Sequence, residues 1–210
     1  MIKNNPLVTA TRFCFALFVV FILLLHVLQQ EISFLYDAMS YYVYGTGGWL
    51  LPASLISLGF GSLTFSLGLA RKIRGLRAVT GISCMALWGV CLLVSAVFPT
   101  DPIGSWDQPP TTNGMIHFIS ANLAFVSVTI AALILTRELG KDSRWIPVKN
   151  GLVWMSVLST VTFLLLMISI ASIFVSNGAP LFFGLTERLF FLMVASWICI
   201  ASIGLIHSEA

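Results

Sequence analysis

The chain has 210 residues, of which 58% are hydrophobic and only 9% charged. A soluble domain carries about 25% charged residues, so this composition excludes a water-soluble globular fold and puts the protein in a membrane. The formal charge of +3 sits in short loops between apolar stretches, which points to membrane orientation and anionic lipid headgroups and excludes nucleic acid as a partner.

A hydrocarbon core needs about 20 apolar residues per helical span. Six stretches qualify, at 8–28, 48–70, 76–98, 114–136, 150–176 and 185–206. Backbone amides cannot cross lipid unpaired, so the spans are helices or a closed barrel. Their long apolar runs lack strict alternation, which selects helices. The expected fold is all-α, an integral membrane bundle of six transmembrane helices forming one domain over 1–210.

Cations fill alternate gaps. Lys3 and Arg12 lie near the start, Arg71, Lys72, Arg74 and Arg77 in one gap, and Arg137, Lys141, Arg144 and Lys149 in another. The remaining gaps hold Glu31, Asp37, Asp101, Asp107 and Glu187, with Arg188 as their only cation. Short cytoplasmic loops carry the excess of Lys and Arg. Both termini are therefore expected in the cytoplasm, and the acidic loops outside.

The first span follows Lys3 and runs past Arg12 to His26-Val27-Leu28-Gln29-Gln30. No small-x-small site follows, so it reads as an uncleaved span. The first outward loop holds all four tyrosines, Tyr36, Tyr41, Tyr42 and Tyr44, with Trp49 just after. They fit an interfacial aromatic belt with a short helix, or a lid over an outward pocket. The second span carries small residues at Ser54, Ser57, Gly61, Ser62 and Ser66, which allow close helix packing.

The third span ends in Phe98-Pro99-Thr100-Asp101-Pro102, a turn stiffened by two prolines. Asp101 there stands against the negative end of a helix dipole. Asn113-Gly114-Met115-Ile116-His117 leads into the fourth span, and helical spacing puts His117, Ala121 and Ala124 on one face with Ser120 close by. That small-residue face turns His117 into the bundle. In the fifth span Ser169, Ser172 and Ser176 share a face in the outer half. The sixth span opens with Gly184-Leu185-Thr186-Glu187-Arg188, where Glu187 suits the positive helix end and Arg188 does not. Asp101 and Arg188 are mirror-image misfits, so direct or one-water contact between them is expected. The outward ligand or structural network is then Asp101, His117, Glu187 and Arg188, with Ser172 and Ser176 nearby. Ionisable groups at such depth are functional candidates.

Cys14, Cys84, Cys91 and Cys199 lie inside spans without CxxC spacing and read as structural thiols. His26 and His117 find no third ligand histidine on their side, and no metal or cofactor is expected. His207 lies at the cytoplasmic tail. Phosphate loops, GxSxG, HExxH and zinc-finger spacings are missing from the sequence.

Met39-Ser40-Tyr41-Tyr42 leading to Gly47-Gly48-Trp49-Leu50-Leu51, the Phe98–Pro102 turn, Gly114 with His117, and Gly184–Arg188 together resemble the DUF998 family of small bacterial multi-pass membrane proteins. The resemblance covers nearly the whole chain. It implies a six-helix membrane domain and brings no established reaction. The family's recurring positions coincide here with Ser40, Asp101, His117, Glu187 and Arg188.

The functional expectation is a bacterial inner-membrane protein with an outward polar pocket. It would bind membrane lipid or serve as an accessory subunit of a larger membrane complex. The rival is an intramembrane hydrolase or transferase acting on a lipid, with Ser40 as nucleophile, His117 as base and Asp101 orienting the imidazole. Solute transport is disfavoured, because no span interior shows paired charges or a broken helix.

Overall fold

The computed structural model describes residues 6–105, 108–175 and 181–206. Asp107, Ser176 and His207 fall outside them, as does Lys3. Six helices form: α1 (Pro6–Leu28), α2 (Leu50–Ala70), α3 (Leu76–Val97), α4 (Thr112–Leu139), α5 (Lys149–Val175) and α6 (Phe183–Ile206). All six are long and apolar enough to cross a membrane. Two short 3₁₀ turns, Met39–Tyr44 and Ser143–Val148, precede α2 and α5. No strand occurs among the described residues.

The helix ends have local causes. Gly75, at φ +107°, lets the chain reverse into α3. Thr111 caps α4 by accepting the Gly114 N–H at 3.0 Å. Pro52 lies in the first turn of α2, where a missing N–H costs nothing.

Successive helices pack side by side from α1 to α4, and α5 pairs with α6. The last helix is central and touches α1, α2, α4 and α5. Its Phe190, Phe191, Val194 and Trp197 are buried in the core. In α1 and α5 only 22% of the apolar window is buried, so these two are the most lipid-exposed helices. Fully buried tryptophans pin neighbours together through their indole N–H groups. Trp88 donates to Ser62 Oγ at 3.0 Å, Trp197 to Thr136 Oγ1 at 2.8 Å and Trp145 to the Ala201 carbonyl at 2.7 Å. The small residues of α2 serve the same packing. Gly61 lies against Phe15 of α1, and Gly59 against the Gly89 carbonyl of α3. None of the five stripe positions lines the cavity described below.

The loops gather at two ends. At one, Arg144 Nη2 donates to the Lys72 carbonyl at 3.0 Å, joining the two basic loops. At the other, the loop after α1 meets the start of α6 and the turn after α3. The Leu185 N–H donates to the Leu35 carbonyl at 3.1 Å, and the Tyr44 hydroxyl donates to the Thr100 carbonyl. The candidate polar residues lie at this second, acidic end.

Candidate functional site

A cavity of about 270 Å³ opens at the acidic end between α4, α5 and α6. Its apolar wall is Phe118, Ala121 and Phe125 of α4, Ile170, Ile173 and Phe174 of α5, and Phe183 of α6. Its polar end is formed by Ser40, Tyr41, Asp101, His117 and Glu187. A side pocket of about 30 Å³ runs inward past Ser95, Ala124 and Phe191. The predicted face of His117, Ala121 and Ala124 thus does point inward, onto these two spaces.

His117 is held by the end of α3. Its Nδ1 lies 2.9 Å from the Phe98 carbonyl and 3.2 Å from that of Ser95. Carbonyls only accept, so Nδ1 carries the proton and Nε2 of the neutral ring is an acceptor. Ser120 and Ser95 join hydroxyls at 2.7 Å behind it.

Glu187 stands one turn into α6, past its first turn. It is buried, and its Oε2 accepts the Met39 N–H at 2.6 Å, which fastens the first loop to α6. Among the described residues, Gln29 Oε1 is the one fully enclosed side-chain polar atom without a hydrogen bond. Glu187 Oε1 and His117 Nε2 have no hydrogen-bond partner either, and they are not enclosed. Both residues line the cavity and its side pocket.

The expected contact between Asp101 and Arg188 does not occur. Asp101 accepts from Thr111 twice, from the hydroxyl at 2.6 Å and from the N–H at 3.1 Å. Its positive partner is thus the N-terminus of α4, which relieves the misfit against α3. Gly114 permits this, because a Cβ there would overlap the Asp101 carboxylate.

Arg188 turns the other way. Its guanidinium donates to His26 Nε2, the Asp37 carbonyl, the Gly184 carbonyl and the Tyr42 hydroxyl, each at 2.9 Å. It also lies 4.9 Å from the Phe34 ring centre and 5.6 Å from that of Tyr42. No ion pair to Arg188 exists among the described residues. His26 Nδ1 lies 2.7 Å from the Ile22 carbonyl, so this ring is neutral and its Nε2 lone pair faces the cation.

Ser172, another expected member, is not among the described residues that line the cavity. It donates to the Ser169 carbonyl at 2.7 Å and accepts the Leu181 N–H at 2.9 Å, tying α5 to the residues just before α6. Ser176 lies outside the described residues. Ser40, His117 and Asp101 share one cavity, but no hydrogen bond links Ser40 to His117 or His117 to Asp101. The orienting position on Nδ1 belongs to backbone carbonyls.

Sequence reasoning passed over His26 as the partner of Arg188; its place in the last turn of α1, level with the sixth span's opening, was the available signal. It also passed over Gln29, which is buried and donates to the Tyr42 and Thr46 carbonyls at 2.8 and 2.9 Å. Tyr41 was one of four tyrosines and is the one that lines the cavity. Burial first, then the charges of Asp37, Glu187 and Asp101, push its phenol well above the ordinary range.

Six apolar helices around a half-enclosed cavity define a multi-pass membrane protein. Residues 13–204 match the family model DUF998, described as a protein of unknown function, and the chain belongs to that family. No curated protein and no solved structure matched it.

Proposed function

We propose that this protein holds a membrane lipid in the cavity at its acidic end, within a bacterial inner membrane. It does so without chemistry of its own. The observation that carries this reading is the cavity's division into a long apolar wall and a compact polar end. Its volume of about 270 Å³ suits a headgroup and the first part of one chain; ligand pockets start near about 300 Å³. The rest of the lipid would lie along α4 and α5, whose Phe118 and Phe174 are exposed to the bilayer.

Native mass spectrometry of the protein extracted with its own lipids tests this. Retained lipid is expected, and Ala121→Phe, which fills the cavity, should release it. A lipid complement that Ala121→Phe leaves unchanged would place the lipid elsewhere. A co-isolated membrane protein would make the chain an accessory subunit, a role that the broad apolar faces of α1 and α5 suit.

One observation favours a second reading, an intramembrane hydrolase or transferase. The Nδ1 clamp on His117 leaves Nε2 on the same cavity as Ser40, as a general base would need. A lipid product that disappears with both Ser40→Ala and His117→Gln would establish it.

A further inference from the structure

Among the described residues, the ionisable groups lining the cavity are Asp101, Glu187, His117 and Tyr41, with no lysine or arginine. Arg188, next in sequence to Glu187, is turned to the far side and fully engaged with His26, Tyr42 and two carbonyls. Glu187 is only 6% exposed and His117 8%; both line the space, and each has one acceptor atom that makes no hydrogen bond among the described residues. A ligand that brings a donor gains bonds to such acceptors that a ligand without one cannot make. A phosphate or carboxylate would bring a further anion and no donor.

We propose that the cavity is selective for an amphipathic primary amine, its ammonium group bound between Glu187 Oε1 and His117 Nε2 and its apolar chain along α4 and α5. This rests on the ligand-binding reading above and names the headgroup. A primary ammonium supplies three N–H donors and one positive charge. Charge-assisted bonds of this kind are about twice as strong as neutral ones. Tyr41 supports the sign of the site: three carboxylates, those of Asp37, Glu187 and Asp101, raise its phenol after burial has done so. A quaternary ammonium carries the charge but has no N–H to give.

An ethanolamine phospholipid and a free long-chain amine share this chemistry. Full-length protein in a neutral maltoside detergent would be titrated, under native mass spectrometry, with equimolar dioleoyl lipids bearing ethanolamine, choline or glycerol headgroups. Separate arms use dodecylamine, dodecanol and dodecyl phosphate. The ethanolamine lipid or dodecylamine should bind about tenfold more tightly than its counterparts, the size expected of one charge-assisted contact. Binding of both identifies a lipid as the source, and binding of dodecylamine alone identifies a free amine. Glu187→Gln should erase the preference and keep total lipid retention. Gln108→Lys, on the exposed rim, should weaken it several-fold, and decides the matter alone if Glu187→Gln fails a melting control. Glycerol lipid held as tightly as ethanolamine lipid, with dodecylamine no better than dodecanol, overturns the amine proposal and leaves lipid binding standing. A preference that both variants leave intact overturns it too. Loss of all cavity-dependent binding overturns the lipid reading itself.

Discussion

The Nε–H of Arg188 donates a 2.9 Å hydrogen bond to Nε2 of His26, joining the sixth helix to the end of the first across 162 residues. A buried cation held by a lone pair, a phenol and two carbonyls has no carboxylate to release it. Removing the guanidinium strands all four acceptors at once. Arg188→Ala should therefore destabilise by about 3 kcal/mol, the scale of breaking a buried charged contact. Arg74→Ala, on the exposed basic loop, should leave the melting temperature nearly unchanged. Equal melting shifts would show that the four bonds contribute nothing.

Asp101 and Gly114 form one unit at the start of α4. Gly114→Ala should displace the carboxylate and cost about 1–3 kcal/mol, the range for a stranded polar group. Asp101→Asn keeps an acceptor for Thr111 and should cost less. In an Asp101→Ala background, Gly114→Ala should lose most of its effect. Additive melting shifts in that cycle would mean that the two residues act independently.

Catalysis separates from binding at His117. His117→Gln retains a hydrogen-bonding side chain but cannot serve as a base near neutral pH. It should leave the protein folded, with cavity lipid still bound. General base catalysis is worth about 10²–10⁴-fold, so an enzyme would lose turnover at normal protein level. The check is the cellular lipid profile. A profile matching the gene deletion for both His117→Gln and Ser40→Ala would overturn the binding reading.

Orientation follows from charge. Single cysteines at Gln108 and Lys141, in a background lacking the four native cysteines, should differ in reach of a membrane-impermeant thiol reagent. Gln108→Cys should label from outside intact cells and Lys141→Cys only after lysis. The reverse pattern would invert the topology.

The basic end has its own titration. Asp142 takes two bonds from the Arg144 side chain, at 2.9 and 2.6 Å, and these hold its carboxyl below the ordinary value of 3.8. Its contribution is therefore complete above about pH 4 and lost as pH falls through the depressed value. The pair is partly exposed, at 23% and 26%, so salt should weaken it. Asp142→Asn should lower the melting temperature slightly near pH 7, and by less as pH falls through the depressed value.

The six helices were legible because hydrocarbon allows so few solutions. The fourth span, read as 114–136, extends to Thr112–Leu139 in the structure, since polar Thr112 and Arg137 continue the helix beyond the apolar core. The membership of the site was legible in part. Asp101, His117 and Glu187 do meet at one cavity. The pairing of Asp101 with Arg188 was a reasonable inference from two helix dipoles, and it failed for a physical reason. The groups that satisfy them are mainly a helix start, main-chain carbonyls and a lone pair on a neutral ring. Such partners belong to the backbone or to a tautomer, and residue types alone do not display them.

Phe118 of α4 and Phe174 of α5 meet edge to face at 6.3 Å in the wall of the cavity. Both rings are exposed there, at 43% and 69%, so each can turn about its own bonds without moving a helix. On the proposed lipid-binding reading they would act as a swing door set in a fixed frame. Trimming either ring to alanine should then quicken arrival and departure of a bound amphiphile together, and leave the ratio of the two rates almost where it was.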